Sequence, residues 1–72
     1  MRAKAKFIKE QYPEGTRIML KRMDDEQAPP YGTLGTVMGV DGIGNILVQW
    51  DTGSTLSVIP DVDEIVILGD KG

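Results

Sequence analysis

The side chains best suited to chemistry in this sequence are carboxylates and an aromatic ring in one polar stretch. Asp24 and Asp25 open the stretch, Pro29 and Pro30 stiffen it, and Tyr31 follows them directly. Connections of this length in a small domain are uncommon unless they are functional or mobile. Carboxylates beside an aromatic ring suit a basic peptide, or a proline-rich ligand that carries Arg or Lys. The stretch therefore predicts a binding loop, with a solvated acidic loop as the alternative.

Trp50 and Asp51 form a second candidate, at a turn. Trp50 is the only tryptophan, and aromatic anchors are common in interfaces. It also continues the alternation of Ile46 and Val48, which favours a place in the core because an indole buries a large area. Asp51 is expected to cap the turn through its own backbone, as Asp does in Asx-turns. The predicted binding surface includes both residues.

Basic residues offer a different chemistry, which is contact with phosphate. Residues 1–9 hold four basic side chains and no acid, whereas the rest of the chain has four basic and eleven acidic residues. The candidate phosphate contacts are Arg2, Lys4, Lys6, Lys9, Arg17, Lys21 and Arg22. A basic arm on an acidic body is typical of a nucleic-acid accessory protein or of a solvated, frayed leader. The acidic body makes nucleic acid the second choice.

The composition argues against an enzyme and against a metal centre. The chain has no Cys and no His, which removes the side chains of most nucleophile–base pairs and of ordinary zinc sites. Several turns contain Asp, but none has the register of a calcium-binding loop. Gly42 and Gly44 lead into a strand rather than a helix, so they indicate a hairpin and not a phosphate-binding loop. We expect no catalytic residue, no cofactor and no metal.

The size and hydropathy of the chain indicate one small soluble domain. Seventy-two residues leave no room for a second core. No apolar run approaches the roughly 20 residues of a membrane span, and no apolar segment follows the basic N-terminus as in a signal peptide. A cytoplasmic protein is the expectation.

The first eleven residues predict a short helix. They contain no Gly or Pro, and Ala3, Phe7 and Gln11 fall at helical spacing. A helix this short needs tertiary support. Phe7 or Ile8 would supply it by docking on the rest of the domain.

From Pro13 onward, turn residues separate short alternating runs, which predicts an all-β domain. The five expected strands are 17–23, 35–40, 46–50, 55–59 and 65–68. The last run is continuously apolar, which favours burial on both faces. The pattern indicates a small five-stranded SH3-like barrel over residues 13–68, between a basic arm or short helix at 1–12 and a tail at 69–72.

Several motifs occur in the order found in a known family. They include Tyr12-Pro13-Glu14-Gly15-Thr16-Arg17, Pro29-Pro30-Tyr31-Gly32-Thr33, Val48-Gln49-Trp50-Asp51-Thr52-Gly53-Ser54 and Val62-Asp63-Glu64. The chain from Tyr12 to Leu68 resembles the family catalogued as domain of unknown function 4314, small proteins of bacteria and of their phages or mobile elements. The tryptophan motif is also similar to SH3-like modules such as the domain shared by mind bomb and related ubiquitin ligases, which are recognition modules. The resemblance implies a small barrel and assigns no activity.

Together, these observations predict a non-catalytic interaction module that binds a protein or peptide. The predicted surface consists of Asp24, Asp25, Pro29, Pro30, Tyr31, Trp50 and Asp51. In this surface the two loop aspartates supply charge for a basic partner, and the two aromatic rings supply contact area. One alternative is a nucleic-acid accessory protein, whose binding would weaken steeply with salt. A second is a structural subunit that associates through an open strand edge.

Overall fold

The chain forms one antiparallel sheet with a short helix beside it. A computed structural model describes the backbone of residues 2–68 and the side chains of residues 5–68. Its elements are α1 (Arg2–Gln11), β1 (Arg17–Arg22), β2 (Leu34–Val40), β3 (Ile46–Trp50) and β4 (Glu64–Ile67). The strands lie in the order β3-β2-β1-β4, and every neighbouring pair is antiparallel. The fold is therefore mostly β, as predicted.

The helix α1 confirms the prediction for the N-terminal residues. It ends ahead of Pro13, because the residue before a proline is pushed out of the helical conformation. Ile8 is 7% exposed and joins the core, whereas Phe7 is 58% exposed. Ile8 therefore makes the docking contact. Among residues 2–68, no helix is long and apolar enough to cross a membrane.

Alternation along the strands decides which side chains form the core. Ile18 and Leu20 of β1 and Val48 and Trp50 of β3 are all at most 2% exposed. Gly35 lies opposite Trp50 in the ladder, and a Cβ added there would approach the indole Cε3 to 2.6 Å. A glycine at this position therefore lets the indole pack directly against the β2 backbone. The core of the described residues comprises Ile8, Ile18, Leu20, Val37, Ile46, Val48, Trp50 and Val58.

The side of the sheet opposite the core is here called the outer face. Side chains alternate between the two faces of a strand, so the residues between the buried ones lie on it. They include Arg17, Met19, Leu34, Thr36, Met38, Leu47, Gln49 and Val66.

The turn between β2 and β3 confirms the predicted hairpin. Asp41 Oδ1 accepts the N–H groups of Ile43 and Asn45 at 3.1 and 2.9 Å. Gly44 has a φ of 91°, which glycine adopts without strain. These features direct β3 back along β2.

Residues 2–68 form four strands rather than the five predicted, and their sheet is open instead of closed into a barrel. Residues 55–59 make a single antiparallel bridge, between Val58 and Ile46. Two other backbone groups of this segment form hydrogen bonds with side chains. The Trp50 indole donates to the Leu56 carbonyl at 3.0 Å, and the Ile59 N–H donates to the Asp63 carboxylate at 2.9 Å. Backbone groups engaged by side chains compete with a strand ladder, so this segment does not continue along β3.

The prediction that the last apolar run is buried on both faces is wrong, because β4 is an edge strand. Within residues 2–68, it pairs with β1 alone. Val66 and Ile67 are 40% and 46% exposed. A continuous apolar run indicates two-sided burial only where layers cover both faces of a sheet. Val66 lies on the outer face, which no element within residues 2–68 covers, and Ile67 lies opposite Ile18 on the core side, at the edge of the sheet.

Candidate binding surface

The loop of residues 23–33, here called the acidic loop, connects β1 to β2. Its second half is held against the end of β1 by backbone hydrogen bonds. The Leu20 N–H donates to the Thr33 carbonyl, and the Gly32 N–H donates to the Leu20 carbonyl, both at 2.8 Å. The N–H and the hydroxyl of Thr33 donate to the Pro30 carbonyl at 3.1 and 2.7 Å. The loop is therefore an ordered extension of the sheet.

The first half of the acidic loop is shaped by Asp25 and Pro29. Asp25 Oδ1 accepts the Gln27 N–H at 2.7 Å, and the Asp25 carbonyl accepts the Ala28 N–H at 3.1 Å. Such local bonds are characteristic of Asp in turns. Pro29 is buried and Pro30 is exposed. Of the two predicted prolines, only Pro30 is available to a partner, while Pro29 anchors the loop.

A buried carboxylate ties the acidic loop to the turn before β4. Asp63 is 8% exposed. Its Oδ1 accepts the Asp24 N–H at 3.2 Å, and its Oδ2 accepts the Ile59 N–H at 2.9 Å. No local spacing in the sequence predicts this role, because Asp24 and Asp63 are 39 positions apart. The acidic loop and the turn thus form one surface.

Tyr31 presents its ring at the surface of the acidic loop. It is 68% exposed. The Lys21 Nζ lies over the ring, 5.8 Å from its centroid, near the outer limit of a cation–π contact. Because this contact involves one face of the ring and most of the side chain is exposed, Tyr31 is available for contact with a partner.

Trp50 is a core residue, and the prediction that it supplies contact area is wrong. Its side chain is 1% exposed, and its indole N–H is bonded to the Leu56 carbonyl at 3.0 Å. The alternation with Ile46 and Val48 placed the indole on the core face, which is the interpretation that the sequence favoured. The turn after Trp50 does lie at the acidic-loop end of the sheet, since the Asp51 N–H donates to the Leu34 carbonyl at 2.9 Å.

Asp51 pairs with Arg17 instead of capping its own turn. Two guanidinium nitrogens of Arg17 donate to the two carboxylate oxygens of Asp51 at 3.0 and 2.7 Å. One of them also donates to the Thr36 hydroxyl at 2.8 Å. A bidentate pair of this kind fixes the orientation of both side chains. Arg17, predicted as a phosphate contact, is already engaged.

The ion pair between Arg17 and Asp51 makes the stability of the fold depend on pH. Hydrogen bonding to Arg17 lowers the pKa of the Asp51 carboxyl, the positive charge lowers it further, and partial desolvation opposes both. A lowered folded-state pKa stabilises the fold above the ordinary carboxyl pKa of about 3.9, and this stabilisation is lost as the pH falls through the folded-state value. We expect carboxyl-carbon NMR to give an Asp51 midpoint below 3.9. In Arg17→Gln the midpoint should rise; an unchanged midpoint would contradict the pairing.

The basic residues predicted to contact phosphate do not form one surface. Lys6 and Lys9 of α1 line an open groove of about 440 Å³ against the β2–β3 turn. Lys21 and Arg22 lie at the opposite end of the sheet, where β1 runs into the acidic loop. Arg17 is paired with the Asp51 carboxylate. The side chains of Arg2 and Lys4 lie outside the described residues.

Carboxylates concentrate around the acidic loop. Asp24, Asp25 and Glu26 are exposed within it, and Glu64 is exposed at the start of β4. Among the described side chains, no group of three or more His, Cys, Asp or Glu converges as a metal site would require. The surface therefore combines an exposed ring, an exposed proline and several separate negative charges.

Comparison with protein families gives a match over nearly the whole chain. The model of the family described as "Domain of unknown function (DUF4314)" matches residues 1–68. No curated protein and no solved structure matches the chain significantly. The matched span contains α1, the complete sheet, the acidic loop and the turn that carries Asp63.

Proposed function

The chain belongs to the DUF4314 family, and we propose that it is a non-catalytic interaction module whose acidic loop binds a basic segment of a protein or peptide. The observation that carries this proposal is Tyr31, an aromatic ring that is 68% exposed on a loop whose backbone is held in place. An ordered loop loses little conformational entropy on binding, and a tyrosine supplies a large contact area with few rotatable bonds. This surface therefore meets the main physical requirements of a recognition site.

The negative charge of the acidic loop favours a basic partner. Three exposed carboxylates, those of Asp24, Asp25 and Glu26, precede the ring along the loop. Lys21 contacts one face of the Tyr31 ring, so a partner side chain meets the opposite face. Arg is the best match, because its guanidinium stacks on an aromatic face and also bonds carboxylates. A partner segment that carries Arg or Lys, with Pro nearby, fits this chemistry.

We also propose how the sheet is related to an SH3-like fold. We interpret the sheet as an open SH3-like arrangement in which residues 55–59 take the place of a further strand at the β3 edge. The strand order β3-β2-β1-β4 and the bridge between Val58 and Ile46 support this interpretation. The lack of Cys and His supports a binding role over catalysis, because it removes the usual nucleophile–base pairs. We propose the cytoplasm as its compartment and a bacterium or mobile element as its source.

The proposal predicts how backbone amides respond to three probes in an NMR titration. The probes are a short peptide rich in Arg and Pro, the same peptide with Glu in place of Arg, and a short single-stranded DNA. We expect the basic peptide to shift amides of residues 23–33 and the acidic peptide to leave them unchanged. Tyr31→Ala should weaken binding of the basic peptide by roughly tenfold, which is the scale of a buried tyrosine anchor.

Ile43→Ala provides the matched control. Ile43 is 70% exposed, like Tyr31, but lies in the β2–β3 turn at the other end of the sheet. Its replacement should leave peptide binding unchanged. If Tyr31→Ala binds the basic peptide as well as the native chain does, the proposal is wrong. If instead DNA shifts the amides of Lys6 and Lys9, and added salt abolishes these shifts, the nucleic-acid alternative replaces it.

A further inference from the structure

The outer edge of β4 carries backbone groups that are directed away from the sheet. The Leu68 N–H donates to the Arg17 carbonyl at 2.9 Å, and Ile18 lies opposite Ile67. Hydrogen-bonded and non-hydrogen-bonded pairs alternate along an antiparallel ladder. Ile67 and Ile65 are therefore in non-hydrogen-bonded positions relative to β1. Their N–H and C=O groups point outward, and no backbone bond within residues 2–68 reaches them.

The side chains of this edge do not protect it. Natural edge strands are commonly blocked by Lys, Pro or a bulge that turns the edge away. β4 contains neither Lys nor Pro, and its one charged residue is Glu64 at its start. The ladder between β1 and β4 shifts register between Leu20 and Arg22, so the bulge is on β1 beside Glu64, and residues 65–67 pair regularly. Val66 and Ile67 are 40% and 46% exposed. The edge is thus short, apolar and accessible.

An apolar row on the outer face leads to this edge. Met19 lies opposite Leu34 on one side and opposite Val66 on the other. All three side chains lie on the outer face, so they form a continuous row across β2, β1 and β4. The row stops at Val66 because the sheet ends there.

We propose that this edge pairs with the same edge of a second copy of the chain, with a two-fold axis at Val66. In that register Ile65 of each copy lies opposite Ile67 of the other, and the outward N–H and C=O groups of both residues are satisfied. Val66 lies opposite Val66, in a non-hydrogen-bonded pair where side chains are closest. The apolar row then continues from one sheet into the other.

The charges of the edge fit a second copy in this register. Glu64 lies opposite Leu68 of the other copy, so the two Glu64 residues are about 13 Å apart along the strands, beyond the screening length at physiological salt. Arg22 lies beside Glu64 in its own sheet, and Leu68 of the other copy lies beside Arg17 of that copy. Each Glu64 therefore has a basic residue of its own sheet beside it and an uncharged residue of the other copy opposite it. No like charges oppose one another.

The test compares Val66→Lys with the native chain by sedimentation equilibrium, at concentrations up to about 1 mM so that weak association is measurable. We expect the native chain to form dimers. Val66→Lys places two lysines directly opposite each other, and like charges in that position are destabilising. The dissociation constant should rise roughly tenfold or more, since the change acts once in each copy.

Leu47→Lys is the matched control. Leu47 is 39% exposed, lies on the outer face and belongs to the other terminal strand, β3. This variant should dimerise like the native chain. A loss of dimers equal to that of Val66→Lys would show that the pairing does not involve β4 and would overturn the proposal.

A charge swap separates pairing from damage to the fold. Val66→Glu alone should be monomeric, whereas an equimolar mixture of Val66→Glu and Val66→Lys should form a heterodimer, because the opposed charges then attract. In native dimers, the amides of Ile65 and Ile67 should exchange with solvent more slowly as concentration rises. A native chain that is monomeric at about 1 mM, or folded variants that do not combine, would overturn the proposal.

Discussion

Replacing Trp50 with alanine is expected to destabilise the fold by about 3–5 kcal/mol, the range for removing a large aromatic side chain from a core. The indole is 1% exposed, and the ladder residue opposite it is Gly35, which has no side chain to fill the space. The change also leaves the Leu56 carbonyl without its donor. A chain of this length has about 4–11 kcal/mol of total stability, so the substitution should remove from about a quarter to all of it.

Urea denaturation followed by far-UV circular dichroism measures this effect without the tryptophan signal. Trp50→Phe is the control, because it keeps an aromatic ring and loses only the indole donor and part of the volume. It should retain a cooperative transition at a urea midpoint between those of the native chain and Trp50→Ala. An alanine variant within about 1 kcal/mol of the native chain would mean that the indole is not part of the core.

Replacing Asp63 with alanine is expected to destabilise the fold by about 1–3 kcal/mol, because the carboxylate, which is 8% exposed, accepts two partly buried N–H groups that then lose their acceptor. The donors belong to Asp24 and Ile59, which lie in the acidic loop and in the segment before β4. Asp63→Asn should be intermediate, since its single carbonyl oxygen can accept from only one of them. Because this carboxylate holds the acidic loop in place, Asp63→Ala should also weaken binding of the basic peptide.

Hydrogen exchange gives the direct readout of this role. In Asp63→Ala the amides of Asp24 and Ile59 should exchange faster than in the native chain, while core amides such as that of Val48 should change only in proportion to global stability. Asp24→Ala is the matched control, because it removes an exposed carboxylate and keeps the Asp24 N–H. Its stability should lie within about 0.5 kcal/mol of the native value. Unchanged exchange at Asp24 and Ile59 would exclude Asp63 as their acceptor.

Most of the local structure follows from short-range patterns in the sequence. The helix follows from spacing before Pro13, and β1 and β3 follow from strict alternation of apolar residues. The β2–β3 turn follows from Asp41 and Gly44, whose chemistry suits a tight turn. Each of these features depends on residues within a few positions of one another. The same holds for the acidic loop and for the place of Tyr31 within it.

By itself, the sequence determined the runs that form β1 to β4, the core faces of β1 and β3, and family membership, because periodicity and ordered motifs are properties of the chain. Tertiary structure decided the contacts across 34 and 39 positions that pair Asp51 with Arg17 and Asp63 with Asp24. It also decided that residues 55–59 leave the ladder and that β4 lies at an edge. Whether an apolar run forms a central strand or an edge strand depends on which strands pair with it. The pattern of apolar residues in the run is the same in both cases.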